Sequence, residues 1–364
     1  MFETDSIQTS MRALRAGALV LVVTVALMPR PAAQGLPYAL FDRYLDALRE
    51  ESGIPGLSAA IVQGGRLVWD TGLGRQDAEN SVPARADTPY LIGDLTQNFA
   101  AVVIGQCVEQ AGFNIYQPMN RWSGGIPESG AQVRHVLAHA SAGAPGEAYR
   151  YDLGRFAQLT PVADDCADRP FRRVIAEDIF DRFGMRDSVP GRDLTAIGAA
   201  DHDYFDDGKL RAYESVLTRL AVPYRVDRSG RATRGDYPAD AVSAAGGLIS
   251  TVRDLARFDL ALDDNALIGS PLRAAAWTNV TTSAGAPLPT GLGWFVQTYN
   301  GERLVWQFGA IRDVGSALVL KVPSRQITLI LLANSDGLAQ GDTLAAGDVT
   351  VSLFARLFLR LFVS

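Results

Sequence analysis

"PYLIGDLTQNFAAVVIGQCVEQ", residues 89–110, passes from a short apolar segment into a helix, and its first helical letters admit two readings. Asp94 and Gln97 stand three apart, as in a capping box, where the carboxylate accepts from free first-turn N–H groups and the amide reaches back to the cap. The other reading of the same run, Asp94-Leu95-Thr96-Gln97, is the remains of a catalytic motif. Behind it, Phe99, Val102, Val103 and Cys107 form the apolar stripe of a core-packed helix.

Upstream, "YALFDRYLDALREE" places Leu40, Phe41, Tyr44, Leu45 and Leu48 at helical spacing, which predicts a surface helix packing on something flat. The flat partner follows as two strands, "GLSAAIV" and "RLVWDTG", joined through Gln63-Gly64-Gly65. From about 89 to 283 the texture is helical with long irregular loops, and Thr251 with Asp254 predicts a capping box for the helix "STVRDLARFDLAL". Strands then return. "GLGWFVQTY" and "RLVWQF" flank the turn Asn300-Gly301, and "SALVLKV" and "ITLILLAN" flank "PSRQ".

The last segment, about 345–363, reads as an amphipathic helix: Leu353, Leu357 and Leu361 join Phe354, Phe358 and Phe362 on one face, and Arg356 and Arg360 lie on another. It is expected to cover a sheet. Strands at both ends and helices between predict an α/β (α+β) fold, with an antiparallel sheet drawn from about 56–72 and 291–334 and an inserted helical subdomain. A cleft between sheet and insertion is the natural place for a site.

With 364 residues, 48% hydrophobic and 20% charged, the chain is long enough to bury a large core. A net charge of -6 and no basic run exclude nucleic acid as a partner, since phosphate binding draws on clustered positive charge. Arg12 and Arg15 precede the apolar run Ala16 to Met28 and the small residues of "PRPAAQG". Residues 1–33 therefore read as a secretory signal cleaved after Ala33, with translation starting at Met1 or Met11. The expected location is periplasmic or secreted, membrane-anchored only if the signal is kept. Cys107 and Cys166 are the only cysteines; they can pair in an oxidising compartment or remain buried thiols.

Read in order, "IPGLSAAIVQGGRLVWDTGLG", "RHVLAHASAG", "PGEAYRYDLGRF", "IFDRFGMRDS", "AAGGLISTVRDLARF", "GLGWFV" and "LVWQFG" span nearly the whole mature chain, 34–364. Their order and spacing resemble the serine beta-lactamase and penicillin-binding-protein superfamily, in particular its class C beta-lactamase, D-alanyl peptidase and esterase-like branch. The resemblance implies a beta-lactamase/transpeptidase-like fold. It also implies a nucleophilic serine and a lysine base in S-x-x-K, at the positions held here by Asp94 and Gln97. An aspartate forms no ordinary acyl ester and an amide is no base at neutral pH.

The same resemblance implies a Tyr-x-Asn loop, matched by Tyr151 but with Leu153 where the asparagine belongs; Tyr149 is an alternative, and either ring can be a packing aromatic. On the cleft strand it implies a cation, where Gln307 stands, followed by a glycine, which is Gly309. Tyr151 is thus the one catalytic residue carried over; Asp94, Gln97, Leu153 and Gln307 are degenerate positions, and Thr96 and Gly309 are expected to line the cleft. Only Lys209 and Lys321 could replace the missing amine, and neither adjoins the helix start in sequence.

No metal or other cofactor is expected. His135 and His139 are four apart but lack the acidic residue of H-E-x-x-H and fall in text similar to the family's, and "DHDYFDDG" lacks the ligand order of an EF-hand. The sequence thus predicts an exported family member that has lost acyl transfer and binds a small-molecule or peptide ligand in its cleft. Asp94 would disfavour penicillins and peptide carboxylates there. The alternatives are a hydrolase with a non-standard nucleophile such as Thr96, and a purely structural envelope protein.

Overall fold

The computed structural model describes residues 32–122, 124–195, 202–239, 241–339 and 341–364. The signal assigned to 1–33 lies outside the described residues except at its last two positions, and no described helix is long and apolar enough to cross a membrane.

Helix α1 (Ala32–Glu51) leads into β1 (Gly56–Gln63), β2 (Arg66–Asp77) and β3 (Val82–Pro83). The insertion then carries β4 (Tyr90–Leu91), α2 (Thr96–Ala111), α3 (Val133–Leu137), α4 (Leu153–Ala157), α5 (Thr160–Ala167), α6 (Phe171–Val174), α7 (Asp207–Leu217), β5 (Tyr224–Val226), β6 (Ala232–Arg234), β7 (Ile249–Ser250), α8 (Val252–Asp263) and α9 (Ser270–Ala276). The chain closes with β8 (Phe295–Tyr299), β9 (Glu302–Ile311), β10 (Gly315–Val322), β11 (Ile327–Ala333) and α10 (Leu353–Phe362).

Among the described residues, the main sheet has seven antiparallel strands in the order β3-β2-β1-β11-β10-β9-β8, so strands from the two ends of the chain meet at its middle. There β1 pairs with β11 from Leu57 opposite Ala333 to Gln63 opposite Ile327. Both strands are almost wholly buried, and period-two alternation sends their side chains into two cores. Ala60, Val62, Ile330 and Leu332 pack with Phe99 and Val102 of α2 and with α8. Ala59, Ile61, Leu329 and Leu331 pack with Phe41 and Leu45 of α1 and with Phe354, Phe358 and Leu359 of α10.

The α/β expectation therefore holds, with adjustments at the edges. The terminal helix starts at Leu353 rather than near 345, because short 3-10 turns at Gly341–Ala346 and Val349–Val351 precede it and Ser352 caps it, accepting from the Ala355 N–H at 3.3 Å. Its covering face is Phe354, Ala355, Phe358 and Leu359, and Leu353 is exposed. Asn300 and Gly301 both have positive φ, 48° and 80°, the conformation a tight hairpin requires, so β8 and β9 meet in the expected register. Cys107 of α2 and Cys166 of α5 form a disulfide, which settles the pairing the sequence left open. Thr251 caps α8 as predicted, accepting from the Asp254 N–H at 3.1 Å. The Asp254 carboxylate turns elsewhere, to the Asp187 N–H and the Ser188 hydroxyl, so the box is only half made.

Candidate active site

The start of α2 is not a capping box. A 3-10 turn, Gly93–Leu95, feeds the helix, Leu95 is its N-cap residue, and no side chain caps it. The Asp94 carboxylate instead accepts the Tyr151 hydroxyl proton at 2.8 Å, with the backbone amides of Ala310 on β9 and of Asp94 itself near enough to favour its charged form. Main-chain amides at a helix start and on a strand thus lie beside one anionic group, as in an oxyanion hole, here faced by the chain's own carboxylate. Asp94 is 4% exposed, and burial pushes its carboxyl up to about 7 in spite of the Tyr151 hydrogen bond and these amides.

Gln97 is fully buried, and its amide is the junction of a polar network. Its Nε2 donates to the Tyr151 hydroxyl at 3.1 Å, and its Oε1 accepts from Gln307 Nε2 at 3.2 Å and from His139 Nε2 at 2.9 Å. Since an amide oxygen only accepts, His139 carries its proton on Nε2, and its Nδ1 takes the Asp152 N–H at 3.3 Å. Burial pushes the His139 imidazole down to about 3, so it stays neutral. Burial, reinforced by the Asp94 charge, holds the Tyr151 phenol well above its ordinary value. Donors therefore run one way, from His139 and Gln307 through Gln97 and Tyr151 to Asp94. None of these groups is a base near neutral pH other than the carboxylate itself.

Tyr151 is held by packing as well as by hydrogen bonds: its ring stacks on Phe308 and Phe295 and lies 4.4 Å from the His139 ring. Tyr149, the alternative, donates to the Ala345 carbonyl at 2.6 Å and packs on Phe295, a structural role. The two lysines are both engaged away from Asp94. Lys209 pairs with Asp181, and Lys321 is buried on β10 with its amine on Asp259 at 3.0 Å, Asp263 at 2.8 Å and the Thr328 hydroxyl at 2.9 Å.

The cleft in front of Asp94 measures about 350 Å³ and is lined by Gly93, Leu153, Ala157, Gly246, Ala310 and Arg192, among others. Two residues expected to line it do not. Thr96 is fully buried with no partner for its hydroxyl, because the first turn of α2 points it into the core. Gly309 is buried beneath the Ile92 carbonyl, where a Cβ would come within 2.1 Å of that oxygen, so it serves the close approach of the chain to itself. Arg192 was missed: it is the cleft's cation, but it comes from a short 3-10 turn, Arg192–Thr195, far in sequence from every motif position.

His135 and His139 do not converge. The first accepts the Gln132 N–H on its Nδ1 at 3.2 Å, and the second stacks on Phe156 within the Gln97 network. In "DHDYFDDG", Asp206 caps α7 by accepting the Lys209 N–H at 2.8 Å.

Comparison with known proteins bears on this geometry. The family model described as "Beta-lactamase" matches residues 41–351. Penicillin-binding protein 4* of Bacillus subtilis (strain 168) is 22% identical over 303 residues, 75% of this chain and 67% of that protein. The mouse (Mus musculus) mitochondrial serine beta-lactamase-like protein LACTB is 28% identical over 100 residues, 27% of this chain and 18% of its own length. Among solved structures, the octameric penicillin-binding protein homologue from Pyrococcus abyssi superposes with a TM-score of 0.68 at 20% identity, over 82% of this chain and 74% of that one. The D-amino acid amidase from Ochrobactrum anthropi SV3, complexed with L-phenylalanine amide, gives 0.65 at 18% identity, over 88% and 99%.

Proposed function

Because the chain belongs to the beta-lactamase family, we propose that it is a member that has kept the ligand cleft and given up acyl transfer, acting as an exported ligand-binding or regulatory protein. The observation that carries this reading is the buried Asp94 carboxylate, which stands in place of an attacking hydroxyl, is held by the Tyr151 hydroxyl at 2.8 Å and lies beside the backbone amides of Ala310 and Asp94 that would otherwise face a developing oxyanion. Loss of a nucleophile or its base costs on the order of a million-fold in turnover. No amine replaces the base, since Lys209 and Lys321 are both committed to carboxylates. The hydrolase alternative built on Thr96 loses its support, because a hydroxyl sealed in the core cannot reach a ligand. Export is supported by the basic and apolar N-terminal pattern and by the Cys107–Cys166 disulfide, a bond that persists in oxidising compartments.

The test uses mature protein with a chromogenic cephalosporin, a chromogenic ester and a serine-directed activity probe. The expected result is no turnover and no covalent adduct by mass spectrometry. Turnover that Thr96→Ala abolishes, or an acyl adduct formed on exposure to a beta-lactam, overturns the proposal. A thermal-shift screen with small molecules separates a ligand-binding protein from a structural one, which would show no shift.

A further inference from the structure

We propose that Asn300 is a self-modifying position: its side-chain amide is lost to attack by the Gly301 backbone nitrogen, which leaves aspartyl and isoaspartyl residues at the tip of the β8–β9 hairpin and loosens it. The turn lies at the opposite end of β9 from Ala310, so this stands apart from the ligand-binding reading above.

The reaction needs only these two residues and water. The Gly301 nitrogen gives up its proton to hydroxide and bonds to the carbonyl carbon of the Asn300 side chain. The bond from that carbon to Nδ2 breaks, and the nitrogen takes a proton from solvent and leaves as ammonia. A cyclic imide results. Water then adds to one of its two carbonyl carbons, and the bond from that carbon to the Gly301 nitrogen opens. Opening at the side-chain carbon gives aspartate; opening at the main-chain carbon gives isoaspartate, with the backbone rerouted through the side chain. One water enters and one ammonia departs, and nothing is oxidised or reduced.

The structure leaves both reacting groups free. Strand pairing ends with Tyr299 opposite Glu302, so the Gly301 N–H stands outside the ladder, and no hydrogen bond within the protein engages it or the Asn300 side chain. Both residues are exposed. Glycine brings no Cβ to crowd the attack, and the space where one would stand has no atom within 4 Å. No other asparagine of the chain precedes a glycine. Asn80 and Asn334 precede serines, and both side chains are held. Asn80 donates to Asp77 at 2.7 Å, and the buried Asn334 donates to the Arg75 and Gln76 carbonyls while accepting the Gly56 N–H. The Asn279 amide is likewise held by the Leu288 and Val296 carbonyls.

The pair that suits the turn, with φ of 48° and 80°, is thus also the pair that makes it chemically labile. An isoaspartyl residue adds a methylene to the main chain of a two-residue loop, and loop length sets hairpin register. Tyr299 can then no longer sit opposite Glu302 as it does now. Strand β8 is the edge of the sheet, so no further strand holds it in place. Its inner end carries Phe295, which stacks on Trp306 at 4.2 Å and would feel the shift.

The test incubates the folded mature protein at about pH 7 and about pH 9, then follows its peptides by tandem mass spectrometry and by labelling with an isoaspartyl methyltransferase. Asn300 should gain the mass of an NH2-to-OH exchange in two separable forms, one of which accepts the methyl label. Conversion should run on the order of tenfold faster than at Asn80, where Ser81 brings a Cβ. It should rise by up to about tenfold per pH unit, because the deprotonated nitrogen attacks. Asn300→Gly keeps a pair suited to the turn; it should gain no mass there and hold its melting temperature through an incubation that lowers the parent's. Conversion no faster than at Asn80, or seen only after unfolding in denaturant, overturns the proposal. An isoaspartyl product with an unchanged melting temperature overturns the loosening of the hairpin.

Discussion

Replacing Asp94 by asparagine keeps the shape of the side chain and removes its charge, and the structure fixes how the consequence depends on pH. In the folded protein the carboxyl titrates at about 7, raised by burial; in the unfolded chain it returns to the ordinary aspartate value of about 3.9. The folded state therefore holds the proton more tightly, and protonation favours folding. That contribution is complete below the unfolded value and is lost as pH rises to the folded one. A separation of about three units corresponds to about 4 kcal/mol lost between strong acid and pH 8, of which about 2–3 kcal/mol falls between pH 5 and pH 8. The residue is almost wholly shielded from water, so solvent screening takes little from this figure. Chemical denaturation of both proteins at intervals from pH 5 to 8 reads it directly. The stability of the parent relative to Asp94→Asn should fall by about 2–3 kcal/mol over that range and level off above it. A difference that stays constant across the range, or one that grows in favour of the parent with rising pH, refutes the argument that burial, rather than the Tyr151 hydrogen bond and the nearby backbone amides, governs this carboxyl.

Asp94→Ser alone should yield no acyl adduct with a fluorescent penicillin, because Gln97 supplies no base; Asp94→Ser with Gln97→Lys should yield a detectable adduct by gel fluorescence. Breaking the Cys107–Cys166 bond, which closes a loop across a sequence separation of 59, should cost about 4 kcal/mol on loop entropy, read as a lower denaturation midpoint in Cys107→Ser/Cys166→Ser. Lys321→Ala should destabilise by about 3–5 kcal/mol in a denaturant titration, since it leaves the buried Asp259, and the part-exposed Asp263 beside it, without their cation. Gly309→Ala should lower the melting temperature and disturb the cleft, because its methyl would come within 2.1 Å of the Ile92 carbonyl oxygen.

What could be read in advance was local. The Asn300-Gly301 turn and the Thr251 cap depend on neighbours one to three residues away, and the runs that became β1 and β11 carry their burial in composition. Asp94 misled because capping and burial in a site begin with the same letters. Its actual partner, Tyr151, and the Ala310 amide beside it come from a loop and a strand that only the fold brings to it. A usable signal did exist: Gln97 opens a helix that carries a core-packed apolar stripe, and an amide buried there must find partners, which turned out to be the other degenerate position Gln307 together with His139 and Tyr151. Arg192 had no such mark, being one arginine among many until the cleft singles it out. Cysteine pairing requires a Cα–Cα separation such as the 5.8 Å found here, and spacing along the chain says nothing of that.

The seam between β1 and β11 has a bearing on how the protein comes to exist at all. The Gly56 N–H donates to Asn334 across 278 positions, and the ladder beside it joins segments nearly as remote. Such contacts form only after residues 327–334 have left the ribosome, and closing so wide a loop is slow. The nascent chain thus waits, β1 paired with β2 but open along its other edge, until β11 is made; a product truncated before Ile327 would lack the strand on which both halves of the sheet converge.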